Sequence, residues 1–91
     1  MKILILYGFG IGVVDIRSIK KVIDRYEKVI VFTSKAPQGK AKEMLKELHG
    51  VEINETLNFY KEAKKKAKEI KDSELKDLGD FGDRAMMRDP C

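Results

Sequence analysis

Two segments near the start of the chain are almost entirely apolar, with no alternation between apolar and polar positions. They are residues 2–7 (KILILY) and residues 28–33 (KVIVFT). Continuous apolar runs of this length are typical of strands that are buried on both faces of a parallel sheet. A shorter run at residues 51–54 (VEIN) predicts a third strand.

Between these runs, apolar residues recur every three or four positions, which is the spacing of one helix face. The first such stripe is Ile16, Ile19, Ile23 and Tyr26. A second helix is expected at 38–49, stopped by Gly50, with an inner face of Ala41, Met44, Leu45 and Leu48. A third helix carries Tyr60, Ala63, Ala67 and Ile70. Asp15 is the candidate N-cap of the first helix, and Asn54 or Thr56 that of the third.

Alternating strands and helices predict an α/β fold with parallel strands joined by crossover connections. We expect a small three-stranded parallel sheet in β-α-β-α-β-α order, a Rossmann-like half-domain with strand order 2-1-3 or 3-2-1. The domain spans residues 1–78, where residues 72–73 interrupt the third helix or start a further short helix. Residues 79–91 form a loosely ordered or docking tail. The exposed sheet edges favour a homodimer over a monomer.

The bulk composition places the chain among globular proteins. Its 91 residues suffice for one domain, and 43% are hydrophobic and 37% charged. Lysine and glutamate dominate the charge, a bias typical of thermophile surfaces. The single cysteine, Cys91, cannot form an intrachain disulfide, which suggests a reducing, cytoplasmic location. The glycine-interrupted apolar run at 3–14 is too short to span a bilayer, so we expect no membrane association.

The net charge of +4 favours anionic partners. Glycine-rich turns at the carboxyl ends of parallel strands let the backbone approach a phosphate, and the next helix N-terminus offers N–H groups. The loops after strands 1 and 2 are therefore predicted to bind a phosphate-bearing small molecule or nucleotide. The predicted ligand-binding residues are Gly8, Gly10, Gly12, Asp15, Ser34, Lys35 and Lys40. The alternative is that the glycines only make a tight turn and that Asp15 only caps a helix.

The segment Gly-Phe-Gly-Ile-Gly partly resembles the dinucleotide-binding fingerprint of Rossmann domains. Gly8 and Gly10 occupy its first two glycine positions. Its third glycine position falls at Val13, and the nearest glycine, Gly12, is one residue too early. Ser34 and Lys35 stand where an acidic residue is expected, as in domains that prefer a phosphorylated ribose. The resemblance implies a nucleotide site. It identifies no cofactor, since a chain of this length supplies only half of such a sheet.

A competing function is nucleic-acid binding through the third helix. Four lysines share one stripe of this helix and could lie along a phosphate backbone: Lys61, Lys64, Lys65 and Lys68. The alternative is a solvated face whose lysine stems cover apolar surface. A third class of function is a non-catalytic interaction or scaffold subunit that works through the sheet edges and the tail.

No residue pattern identifies a reaction, so whether the chain is an enzyme stays open and no catalytic residue is predicted. His49, the only histidine, is expected to act structurally near the end of the second helix. No metal site is predicted, because the spacing of the acids near the tail does not match a calcium loop. Those acids are Asp77, Asp80, Asp83 and Asp89. Phe81, Met86 and Met87 are expected to help the tail dock.

Overall fold

Four strands, each parallel to its neighbours, form one sheet in the computed structural model, which describes residues 2–79. The strands are β1 (Lys2–Gly10), β2 (Tyr26–Lys35), β3 (Val51–Glu55) and β4 (Ser73–Asp77). The helices are α1 (Val13–Val22), α2 (Lys40–Lys46) and α3 (Phe59–Glu69), and a 3₁₀ turn (Ile23–Arg25) precedes β2. The predicted class, α/β with a parallel sheet, is confirmed.

The prediction of three strands is wrong, because residues 73–77 form β4 and not a helix. The strand order is β3-β2-β1-β4, so 3-2-1 is the order present, with β4 added beside β1. The sequence of β4, SELKD, has one apolar residue, Leu75, which pairs with Ile5 of β1. An edge strand with a single ladder needs little hydrophobicity, so its sequence lacks the signal of the central strands.

The residues of β1 and β2 alternate between two buried faces of the sheet. On one face, Leu4 and Leu6 pack with α1 and α2 around Ile16 and Ile19. On the other face, α3 covers a second cluster made of Ile5, Ile30, Phe32 and Ala63. The molecule therefore has three layers, and the central strands are apolar throughout because both of their faces are buried.

Helix starts differ from the predicted caps. Gly12 is the N-cap of α1, and Asp15 lies in the first turn, where its carboxylate accepts the Gly12 N–H at 2.9 Å. Asn58 is the N-cap of α3. The Thr56 hydroxyl accepts the Asn58 N–H at 3.2 Å, whereas Asn54 lies within β3. In both helices a predicted capping side chain, that of Asp15 or of Thr56, accepts the backbone N–H of the N-cap residue without being the N-cap itself.

Two further sequence-based assignments are corrected. Tyr26 begins β2 instead of ending the stripe of α1, and α2 is shorter than the predicted 38–49. His49 consequently lies beyond α2, where it is exposed. None of the helices within residues 2–79 is long and apolar enough to cross a bilayer. Of the predicted tail, residues 80–91, including the candidate docking residues and the cysteine, lie outside the described part of the chain.

Candidate ligand site and candidate nucleic-acid surface

The turns after β1 and β2 lie side by side at one rim of the sheet. Gly10 pairs with Lys35 in the strand ladder, and the Ser34 hydroxyl donates a 2.7 Å hydrogen bond to the Phe9 carbonyl. An open cleft of about 300 Å³ lies between the two turns. Its lining residues are Gly10, Ile11, Gly12, Lys35, Ala36 and Gln38. The parallel ladder thus brings together two loops that are some 25 residues apart in the chain.

The donors that were expected to meet a phosphate are partly used inside the protein. The N–H of Gly12 donates to the Asp15 carboxylate, and the hydroxyl of Ser34 donates to the Phe9 carbonyl. Asp15 also places a negative charge in the first turn of α1, where the helix dipole favours it. A bound anion would have to compete with this carboxylate. The exposed side chain of Lys35 is the one predicted cation that lines the cleft within the described residues.

The predicted ligand residues divide into two groups. Gly10, Gly12 and Lys35 line the cleft, whereas Gly8, Asp15, Ser34 and Lys40 do not. Gly8 is buried in β1, and a Cβ there would lie 2.9 Å from the Cβ of Leu78. Its small size is therefore required by packing, without reference to a ligand.

The four lysines predicted to bind nucleic acid are all exposed on α3. The opposite side of this helix is anchored by Ala63, which is fully buried against the sheet. In the described chain the ion-paired lysine of α3 is Lys66, at 3.6 Å from Glu69. None of the four predicted lysines forms an ion pair with any of residues 2–79. Lys64 instead places its Nζ 5.8 Å from the centre of the Tyr60 ring.

Four aromatic rings meet beside the first turn of α3. The rings of Tyr7 and Tyr60 lie 4.9 Å apart at 62°, and those of Phe9 and Phe59 lie 5.0 Å apart at 67°. Both pairs have the edge-to-face geometry that aromatic quadrupoles favour. Phe9 is nevertheless 81% exposed and Tyr60 49% exposed. We call these two residues, with the four exposed lysines of α3, the aromatic–lysine surface.

Sequence reasoning missed part of this surface. It placed Tyr60 on the apolar face of α3, but Phe59 packs against the sheet and Tyr60 lies on the flank. Phe9 was given no role beyond its place in the segment Gly-Phe-Gly-Ile-Gly. The available signal was strand alternation, since Tyr7 and Phe9 share the parity of Ile5 and therefore the face covered by α3.

The shifted pKa values belong to residues away from both candidate sites. Lys28 and Asn54 donate hydrogen bonds to Glu52 and lower its pKa. The hydroxyl of Tyr26 donates to Glu74 and lowers its pKa as well. These shifts accompany contacts between strands, which is a structural role. Residues 2–79 contain no group of three or more histidine, cysteine, aspartate or glutamate side chains placed to hold a metal ion.

No protein-family model, curated protein sequence or solved structure matches this chain. Relatives therefore supply neither an activity nor a set of site residues.

Proposed function

We propose that this protein binds nucleic acid through the exposed lysine stripe of α3. The observation that carries the proposal is that Lys61, Lys64, Lys65 and Lys68 are exposed together and lack ion-pair partners among the described residues. Unpaired cations on one stripe can each neutralise a phosphate and release its counterion, which is the main source of non-specific affinity for nucleic acid. The net charge of +4 adds long-range attraction for such a polyanion.

A second candidate function is binding of a phosphate-bearing small molecule or nucleotide in the cleft. The supporting observation is that Gly10 and Gly12 converge there with Lys35. This candidate ranks below the first, because the carboxylate of Asp15 already holds the Gly12 N–H and opposes a second anion. The lysine stripe has no comparable internal competitor in the described chain.

The leading proposal is tested by reversing charge on α3. The variant Lys61→Glu/Lys64→Glu is compared with Arg17→Glu/Lys42→Glu, which changes two exposed cations on α1 and α2 by the same amount. Fluorescence anisotropy measures the affinity for a labelled oligonucleotide at several salt concentrations. The α3 variant is expected to bind at least about tenfold more weakly, with a salt slope reduced by about 1 to 2 units.

The control variant is expected to lose only a small, salt-screened part of the affinity, because its charges face away from α3. Circular dichroism confirms that both variants are folded. Equal losses in the two variants would mean that net charge alone attracts the oligonucleotide. Absence of binding by the wild-type chain at low salt would refute the proposal outright.

The cleft is tested separately with Gly10→Val. A side chain at Gly10 has open space before it, since its nearest neighbour, the Lys35 carbonyl oxygen, is 4.0 Å from the added Cβ. The Cβ of the valine is therefore accommodated at the cleft, and circular dichroism checks that the variant is folded. If nucleotides bind there, they raise the melting temperature of the wild type and not of the variant. An equal shift in both proteins, or none in either, counts against a cleft site.

A further inference from the structure

Two exposed aromatic rings lie near the start of α3, where the lysine stripe begins. Phe9 is 81% exposed and Tyr60 is 49% exposed, although large aromatic side chains contribute most to stability when they are buried. Each ring is held from the side by another ring, Phe9 by Phe59 and Tyr60 by Tyr7. Most of the Phe9 side chain and about half of the Tyr60 side chain nevertheless remain open to solvent.

Tyr60 adjoins the lysine stripe, and Phe9 is connected to Tyr60 through the rings of Phe59 and Tyr7. The Nζ of Lys64 lies over the Tyr60 ring, 5.8 Å from its centre, which joins the charged and the aromatic parts of the surface. A base that stacks on this face displaces the Lys64 ammonium group, which can then pair with a phosphate of the same strand. At 1.5 Å per residue, the stripe from Lys61 to Lys68 is about 10 Å long. That length matches about three nucleotides of a stacked strand at 3.4 Å each.

We infer that the ligand of the aromatic–lysine surface is a single-stranded polynucleotide whose bases stack on Phe9 and Tyr60 while its phosphates follow the lysines of α3. The inference rests on the proposed function and narrows its ligand. A duplex keeps its bases paired and stacked inside, so it can use the lysines but not the rings. An unpaired strand can use both, because every base offers a face to an aromatic side chain.

An anionic membrane could attract the same lysines, and Leu57, which is 84% exposed, would add apolar surface. The chemistry favours a polynucleotide. Phe9 and Tyr60 offer ring surface to a base, whereas a helix that lies in a membrane needs a continuous exposed apolar face, and most exposed positions of α3 are charged. Leu57 is the one aliphatic side chain of that kind at this end of α3 among residues 2–79.

The test compares single-stranded and duplex ligands for the full chain. Anisotropy is measured with oligothymidylate, oligouridylate and a blunt DNA duplex, for the wild type, Phe9→Leu, Tyr60→Leu and the double variant. Leucine keeps apolar contact with the supporting rings but removes the flat face. Each ring removed is expected to weaken single-strand binding by about 5- to 100-fold and to leave duplex binding unchanged. The two single strands distinguish a DNA ligand from an RNA ligand, and tight binding of either supports the inference.

Phe9→Trp serves as the matched control. It keeps an aromatic face and is expected to retain single-strand affinity, and the fluorescence of the new tryptophan, in a chain that has no other, should be quenched by a stacked base. If both leucine variants keep the wild-type ratio of single-strand to duplex affinity, the rings do not stack with bases and the inference is wrong. The lysine variants could still lose binding in that case, and the proposed function would stand. If the wild type binds vesicles rich in anionic lipid but no oligonucleotide, both are wrong.

Discussion

Gly8 and Leu78 pack so closely that a Cβ placed on Gly8 would lie 2.9 Å from the Cβ of Leu78. Leu78 follows β4 directly and is 2% exposed, within the core cluster on the face of α1 and α2. The end of β4 therefore closes the core over a position of β1 that has no side chain. A glycine that reads as part of a ligand loop is explained by packing.

Gly8→Ala is accordingly expected to destabilise the fold by about 1–3 kcal/mol, because the contact involves a buried Cβ that cannot move freely. Urea unfolding followed by circular dichroism measures the loss. Gly10→Ala is the control, since its added Cβ meets nothing closer than 4.0 Å and should cost little. If Leu78→Gly, which removes the clashing Cβ, is combined with Gly8→Ala, the cost of the glycine change should shrink. Additive losses in the double variant would contradict a direct clash.

Gly39, the N-cap of α2, has φ 59° and ψ −131°. This combination lies outside the ordinary left-handed helical region and is essentially restricted to glycine. Gly39→Ala and Gly39→Asn are both expected to destabilise the fold by about 1–3 kcal/mol, although no side chain clash is present at that position. Thermal unfolding measures both. Asparagine tolerates ordinary left-handed backbone, so a rescue by Gly39→Asn would show that this turn relaxes to that region.

The Tyr26 hydroxyl donates to the Glu74 carboxylate and links β2 to β4 across the intervening β1. Burial, and then this hydrogen bond, raises the pKa of Tyr26 to about 12. The same bond lowers the pKa of Glu74 below its ordinary 4.5. The stabilisation from Glu74 is thus present above pH 4.5 and is lost as the pH falls through its folded pKa. The stabilisation from Tyr26 is complete below pH 10 and is lost as the pH rises toward 12.

Tyr26→Phe is expected to cost about 1 kcal/mol at neutral pH, a value discounted for the partial exposure of Glu74. The variant should remove the loss of stability at alkaline pH, because the phenol is gone, and should reduce the loss at acid pH, because Glu74 keeps only its ion pair with Lys2. Urea unfolding across the acid and alkaline ranges measures this. Glu52→Gln provides the comparison, because it removes a different carboxyl group whose pKa is also lowered. It should change the loss of stability at acid pH and leave the loss at alkaline pH as in the wild type. An alkaline limb that persists in Tyr26→Phe would show that another group produces it.

Some features of the candidate ligand site could be predicted from the sequence, and others could not. The adjacency of the turns after β1 and β2 followed from the parallel order, because carboxyl ends of parallel strands share one rim. The hydrogen bond from Ser34 to Phe9 did not follow, since it depends on the orientation of a side chain across the ladder. The capture of the Gly12 N–H by Asp15 likewise required the first turn of α1 to begin one residue after Gly12.

The amino-acid sequence by itself determined that this is a parallel α/β protein. Runs such as residues 3–6 and 29–32 are stable only where both faces of a strand are removed from water, and that requirement is local to each run. Tertiary structure alone decided that SELKD is a fourth strand and that Phe59, not Tyr60, packs inward. Both outcomes depend on residues far away in the chain. The fourth strand forms because it pairs with the open edge of β1, and Phe59 packs inward against the rings of Tyr7 and Phe9. The local pattern of apolar residues predicts which positions are buried. Strand pairing and ring contacts depend on residues that meet only in the folded chain.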